Sequence, residues 1–248
     1  MSLFILGVFL VLMFLGIPVA VSLGMASLGA ILMYDTSTIA SAVKLMYSSM
    51  NSFTMVAVPL FFLAGILMDK GGVAEQIFSF CEDVVGWIHG GLGHVNIMTS
   101  ILFAGMSGSS VADVASIGAL CANAMIRSGY PSPYAWGTTL ASSMLASVIP
   151  PSILMVVAAS VAQVSMGQAL FAGIIPGVFL GLVMMVYNYF YCKKHGIGHR
   201  IPFNGGRLWK SFKRALPALM VPVILLGGMY TGYFTSTEAA AICVLYTL

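Results

Sequence analysis

The sequence predicts an all-α polytopic membrane protein, and three observations carry that prediction. Only 7% of the 248 residues are charged while 60% are hydrophobic, against about 25% charged in a soluble domain. No charge precedes Asp35, and none falls between Arg127 and Lys193. About 20 apolar residues suffice to cross a bilayer. The first apolar run is too long for a signal-peptide core of about 7–15 residues, and no small-residue cleavage site closes it.

Charges and helix breakers divide the chain into its elements. Residues 1–68 read as N-terminal transmembrane helices. Leu3–Met33 forms the first span, interrupted by Gly16-Ile17-Pro18, and Thr54–Met68 a short second one. In residues 69–94, Val73, Ile77, Phe80, Val84 and Ile88 recur at helical spacing opposite Glu75, Gln76, Ser79, Glu82 and Asp83. That pattern predicts an amphipathic helix lying along the interface or packed on a neighbour.

Residues 95–127 hold two apolar pieces separated by Ser107-Gly108-Ser109-Ser110 and Asp113. The second piece is too short to cross alone, so the segment reads as a re-entrant hairpin. Non-helical backbone at that depth survives only buried in protein or lining a wet cavity. Residues 134–192 give a helix broken at Pro150-Pro151, where two backbone donors are missing, and a following span. Gly173, Gly177 and Gly181 in that span share one face and read as helix packing.

Seven of the ten Lys and Arg fall in residues 193–214, predicting a basic cytoplasmic linker by the positive-inside rule. Gly205–Leu216 would be a basic surface helix and Pro217–Tyr230 a further span. Counting back from the linker puts the hairpin's two ends inside, the Asp35 region outside and the N-terminus in the cytoplasm. The four cysteines are scattered without a CxxC and read as small apolar fillers.

The polar groups concentrate at the two breaks. A carboxylate at mid-membrane costs about 2.5–3.5 kcal/mol and normally faces a cavity or a partner. Asp113 is either the cap of the hairpin's second helix or an ion or substrate ligand. Hydroxyls and unwound carbonyls at Ser107–Ser110 and at Pro150-Pro151-Ser152 are the oxygen ligands that discontinuous helices offer to sodium. Enzyme chemistry fits poorly. Gly105-Met106-Ser107-Gly108 matches the GxSG of intramembrane serine proteases, but His89, His94, His195 and His199 are badly placed to act as its base. Glu238 is the one remote second carboxylate for an aspartyl mechanism. No phosphate-binding loop is present, so uphill transport would draw on an ion gradient or another subunit. A channel would want a pore lined by repeated polar positions, and a non-transporting scaffold would leave the polar tip unexplained.

The segments LGIPVAVSLG (15–24), VPLFFLAGILMDKGGVAEQIF (58–78), GGLGHVNIMTSILFAGMSGSSVADVASIGAL (90–120), SVIPPSI (147–153) and GYFTSTEAAA (232–241) resemble the large membrane subunit of TRAP (tripartite ATP-independent periplasmic) transporters. The resemblance implies an elevator-type carrier with an inverted-repeat fold. It implies a bacterial inner-membrane permease importing small organic anions, such as C4-dicarboxylates or sialic acids, by sodium symport. The implied partners are a small four-helix membrane subunit and a periplasmic substrate-binding protein, with sodium as coupling ion and no cofactor. Carried onto this chain, the sodium ligands are Ser107, Gly108, Ser109, Ser110, Pro150, Pro151 and Ser152. Ser109, Asp113 and Ser152 would meet the substrate. The chain carries one hairpin and one broken helix, so it corresponds to the first repeat plus the start of a second over residues 215–248.

Overall fold

The computed structural model describes residues 1–34, 38–51, 53–198 and 201–248; Asp35 and His199, named above, and Arg200 of the basic linker lie outside them. The described residues are helical throughout, and the chain divides into two units, Met1–Ser52 and Phe53–Leu248.

In the first unit α1 (Ser2–Phe14) and α2 (Val19–Tyr34) are joined by a turn at Gly16, whose φ of 82° suits a residue without Cβ. Phe4 packs edge-on against Tyr34 with ring centroids 5.9 Å apart, so the start of α1 meets the end of α2. The expectation of a single span over Leu3–Met33 is corrected by this contact. The Gly-Ile-Pro break reverses the chain, and the two ends of the segment lie together. Thr38 then caps α3 (Ile39–Met50), accepting from the Ser41 amide.

The second unit carries the candidate site. Helices α11 (Met166–His195) and α12 (Gly205–Tyr230) are long and apolar enough to cross a membrane. A third candidate is the pair α4 (Ala57–Lys70) and α5 (Val73–Val85), bent by 73° at Gly71-Gly72. The remaining apolar runs are cut short by their own breakers. The hairpin comprises α6 (Gly91–Ser107), a turn at Gly108-Ser109, α7 (Ser110–Asp113), a π-helical turn over Val114–Gly118 and α8 (Ala119–Arg127). The proline-broken element comprises α9 (Ser132–Ser143), a 3-10 turn over Met144–Ser147, an unwound stretch and α10 (Ile153–Ala162).

Helix α5 packs on both α6 and α12. Its polar face is not all solvated: Asp83 is buried and pairs with Arg207 of α12. A buried carboxylate needs such a partner, and the pair fixes the basic end of α12 to α5. The expected division between a surface helix ending at Leu216 and a separate span from Pro217 does not occur. Residues 205–230 form one helix, with Pro217 and Pro222 inside it and Ser211, Ala215, Ala218, Val221 and Leu225 along one buried stripe. Prolines are tolerated in membrane helices where neighbours satisfy the freed carbonyls. Helix α13 (Ser236–Thr247) begins with a capping box. The Glu238 carboxylate accepts from the Thr235 amide and the Thr235 hydroxyl from the Glu238 amide, so Glu238 is occupied as a cap.

The base of the hairpin and the basic linker share one end of this unit. Gly90 and Gly198 both come within van der Waals reach of neighbours that include Tyr130 and Cys192, and the Ile201 amide donates to the Gly86 carbonyl at 3.0 Å. A buried polar network then joins α6 to α9. Asn96 donates to the Thr139 hydroxyl at 2.7 Å, and Ser100 and Ser142 share a hydrogen at 2.9 Å. Interhelical bonds of this kind in lipid are worth about 0.6 kcal/mol each, up to about 1.7. Their role is to hold the hairpin's first limb against the helix that leads into the proline break.

Candidate functional site

The tip of the hairpin is built by two local devices. Gly108 ends α6 in the left-handed region (φ 59°), the ordinary stop for a helix. Ser109 is extended and caps the second limb, accepting from the Ala112 amide at 3.4 Å. The cap is therefore Ser109, and the capping alternative for Asp113 does not hold. Asp113 lies one turn further on, fully buried, and accepts a short hydrogen bond from the Ser107 hydroxyl. Its other carboxylate oxygen has no hydrogen-bond partner among the described residues. The π-helical turn follows Asp113 directly, a distortion often found at functional sites.

The proline break is assembled as tightly. Val148 and Ile149 both donate to the Leu145 carbonyl, at 3.0 and 2.7 Å. The Pro150–Pro151 peptide is cis. Ser152 caps α10, accepting from the Met155 amide at 3.2 Å while its hydroxyl donates to the Ser147 carbonyl at 2.7 Å. Gly173 and Gly177 of α11 lie against Val148 and Ile149. Their lack of side chains lets α11 cover the unwound backbone, so this packing face serves the break itself.

Tip and break meet. The Ile153 amide donates to the Gly108 carbonyl at 3.0 Å. A Cβ on Gly108 would overlap the Pro151 carbonyl oxygen and come 3.3 Å from the Ile153 nitrogen. The Ser110 and Ser147 hydroxyls are 2.5 Å apart. Gly65 of α4 seals a third side, an added Cβ there lying 3.3 Å from the Ser107 Cα. Gly105 faces Pro222 of α12 and the Pro150 carbonyl.

Of the residues singled out from the sequence, Ser107, Gly108, Ser110, Pro151 and Ser152 are thus gathered at one junction, with Ser109 shaping it and Pro150 at its rim. Asp113 is held inside the hairpin by Ser107. Ser147, unassigned from the sequence, supplies both the hydroxyl that meets Ser110 and the carbonyl that holds Ser152. A cavity of about 190 Å³ borders Ser107 and Ser116 on the side of α4, with Asp69 at its wall. The junction is dense in oxygen acceptors and has no lysine or arginine ion pair; among the described residues Arg207–Asp83 is the ion pair found. Hydroxyl and unwound carbonyl oxygens are the ligands that a small hard cation takes. His94 stands at the far end of the same helix as Ser107, about 20 Å away along its axis.

Residues 6–248 match the family model for the DctM component of tripartite ATP-independent periplasmic transporters. The chain belongs to this family. Its proteins are transporter components, not enzymes. The chain is similar to the sialic acid TRAP transporter large permease protein SiaM of Vibrio cholerae, with 41% identity over 237 residues, 96% of this chain and 56% of that protein. It is also similar to the C4-dicarboxylate TRAP transporter large permease protein DctM of Pseudomonas aeruginosa, with 39% identity covering 91% of this chain and 53% of that protein. The isethionate TRAP transporter permease protein DctMQ of Oleidesulfovibrio alaskensis is 37% identical over 98% of this chain and 38% of its own length. The chain spans about half the length of the curated large permease proteins it matches.

Proposed function

We propose that this chain provides the first repeat of a sodium-coupled, elevator-type importer of small organic anions. The observation that carries the reading is the junction of hairpin tip and proline break, where Gly108 admits the Pro151–Ile153 backbone. Two discontinuous elements meeting tip to break are the arrangement that carriers use for ions and substrates at mid-membrane. Ser107, Gly108, Ser109, Ser110, Pro150, Pro151 and Ser152 are the sodium-site residues in this proposal, with Ser147 added. Ser109, Asp113 and Ser152 face the substrate. C4-dicarboxylates and sialic acids are the substrate classes, because relatives at about 40% identity bear those names.

A second repeat of inverted topology, a small four-helix subunit and a periplasmic binding protein complete the carrier. Residues 95–127 act as the re-entrant hairpin, 134–192 as the broken helix with its following span, and 193–214 as the cytoplasmic linker of the inner-membrane permease. With the intact complex in liposomes and its binding protein supplied, an inward sodium gradient is expected to drive accumulation of one of these anions. Accumulation that proceeds equally with potassium in place of sodium would overturn the reading.

A further inference from the structure

A groove of about 490 Å³ runs between α9 and α11, away from the tip and its junction. Its volume falls within the range of about 300–1,000 Å³ that holds small molecules. Ile97 of α6 forms the floor, Pro133, Gly137 and Ala141 one wall, and Val183 and Tyr187 the other. Pro133, Gly137 and Ala141 recur every four residues, so the wall is low along its whole length. A Cβ at Gly137 would meet nothing within 4 Å among the described residues, so the groove is left open by the other helices of this unit.

One end of the groove is polar. Tyr134 and Asn188 line it there, the Tyr134 hydroxyl donating to Asn188 at 2.8 Å. From Tyr134 a column of rings leads out of the groove. Tyr191 stacks on Tyr134 at 4.3 Å, and His195 on Tyr191 at 4.3 Å. Such a column marks the headgroup level of a bilayer, where aromatic rings concentrate. Lys194 stands seven residues beyond Tyr187 and so on the same face of α11, about 10 Å further along the axis. It is exposed. Lys193 points elsewhere, its ammonium lying over the Tyr189 ring.

We propose that this groove is a binding site for one anionic phospholipid. An acyl chain lies over Ile97 and Gly137, and the phosphate reaches Lys194 beside the Tyr134–Tyr191–His195 column. The apolar lining matches the acyl chain, and Lys194 on the groove face of α11 matches the headgroup charge; basic groups beside grooves between membrane helices bind anionic lipid in this way. The assignment is independent of the ion site.

The test is native mass spectrometry of the intact carrier in detergent, titrated with phosphatidylglycerol or phosphatidylcholine. One tightly held phosphatidylglycerol is expected, preferred over phosphatidylcholine by about fivefold, the worth of one lysine near a membrane phosphate. Gly137→Leu fills open space and is expected to abolish the tightly held lipid of either kind. Lys194→Gln, on the exposed helix end, is expected to keep one bound lipid but lose the headgroup preference. A tightly held lipid unchanged in Gly137→Leu would overturn the site, as would a preference unchanged in Lys194→Gln. Displacement of a co-purifying protein by Gly137→Leu, with lipid unaffected, would assign the groove to a protein partner instead.

Discussion

Gly108→Ala is expected to reduce sodium-driven uptake by the intact carrier by about a hundredfold. Two costs combine at this position. Gly108 is left-handed, with φ 59°, where a residue with Cβ loses about 1–2 kcal/mol. The methyl would also overlap the Pro151 carbonyl oxygen. The overlap is against backbone, so no side chain can swing aside to relieve it. The tip must then withdraw from the break and give up the 3.0 Å bond from Ile153 to the Gly108 carbonyl, worth about 0.5–1.5 kcal/mol. Together these amount to about 1.5–3.5 kcal/mol, roughly one to two and a half decades in rate or occupancy. Gly167→Ala is the control, because a Cβ there meets nothing within 4 Å and transport should be retained. Uptake by Gly108→Ala within a factor of two of the unmodified carrier would show that the junction can open without loss of function.

Asp113→Asn is expected to raise the sodium concentration needed for half-maximal uptake by about ten- to a hundredfold. The side chain is fully buried, accepts from Ser107 through one oxygen and leaves the other without a partner. An uncompensated carboxylate at this depth costs about 2.5–3.5 kcal/mol. A cation bound at the adjoining tip would recover much of that cost, which makes the charge a source of sodium affinity. Asparagine keeps the shape and can still accept from Ser107, so the hairpin should fold as before. Unchanged sodium dependence would reduce Asp113 to a hydrogen-bond acceptor that sets the Ser107 rotamer.

Much of this arrangement was legible in the residues, and the reasons are local. Pro150-Pro151 and the Gly/Ser tip announce themselves because each breaks a helix by backbone chemistry alone. Gly71-Gly72 and Gly16-Ile17-Pro18 are equally visible as breaks, but the angle they impose is not. Whether a broken apolar run continues across the bilayer or doubles back depends on which faces then pack. The Phe4–Tyr34 contact decides this for residues 1–34, and no periodicity in α1 or α2 foretells it. The continuity of residues 205–230 escaped for the opposite reason. Pro217 reads as a boundary, yet the buried stripe from Ser211 to Leu225 runs through it.

Within the site, the hydroxyls of the tip could be named from the sequence, but their partners could not. Ser147 gains its role from a contact 37 residues away with Ser110. Asp83 looks like a solvated face residue until Arg207, 124 residues on, is placed beside it. The Asn96–Thr139 pair had a weak signal. Asn96 and Ser100, and Thr139 and Ser142, are polar residues at helical spacing in apolar surroundings, and each set needs a partner once buried. Matching one set to the other required the parallel packing of α6 on α9.

The central claim is that the junction of tip and break holds sodium, and chemical protection of the tip tests it most directly. The four native cysteines are all buried, so a thiol placed at the tip can be labelled over a low background. In the intact carrier bearing Ser110→Cys, a small thiol reagent is expected to react several times more slowly in sodium than in potassium at equal ionic strength. The protection should disappear when Asp113→Asn is added. Equal labelling rates in sodium and potassium, in a carrier that still accumulates substrate, would contradict the account and place the coupling ion elsewhere.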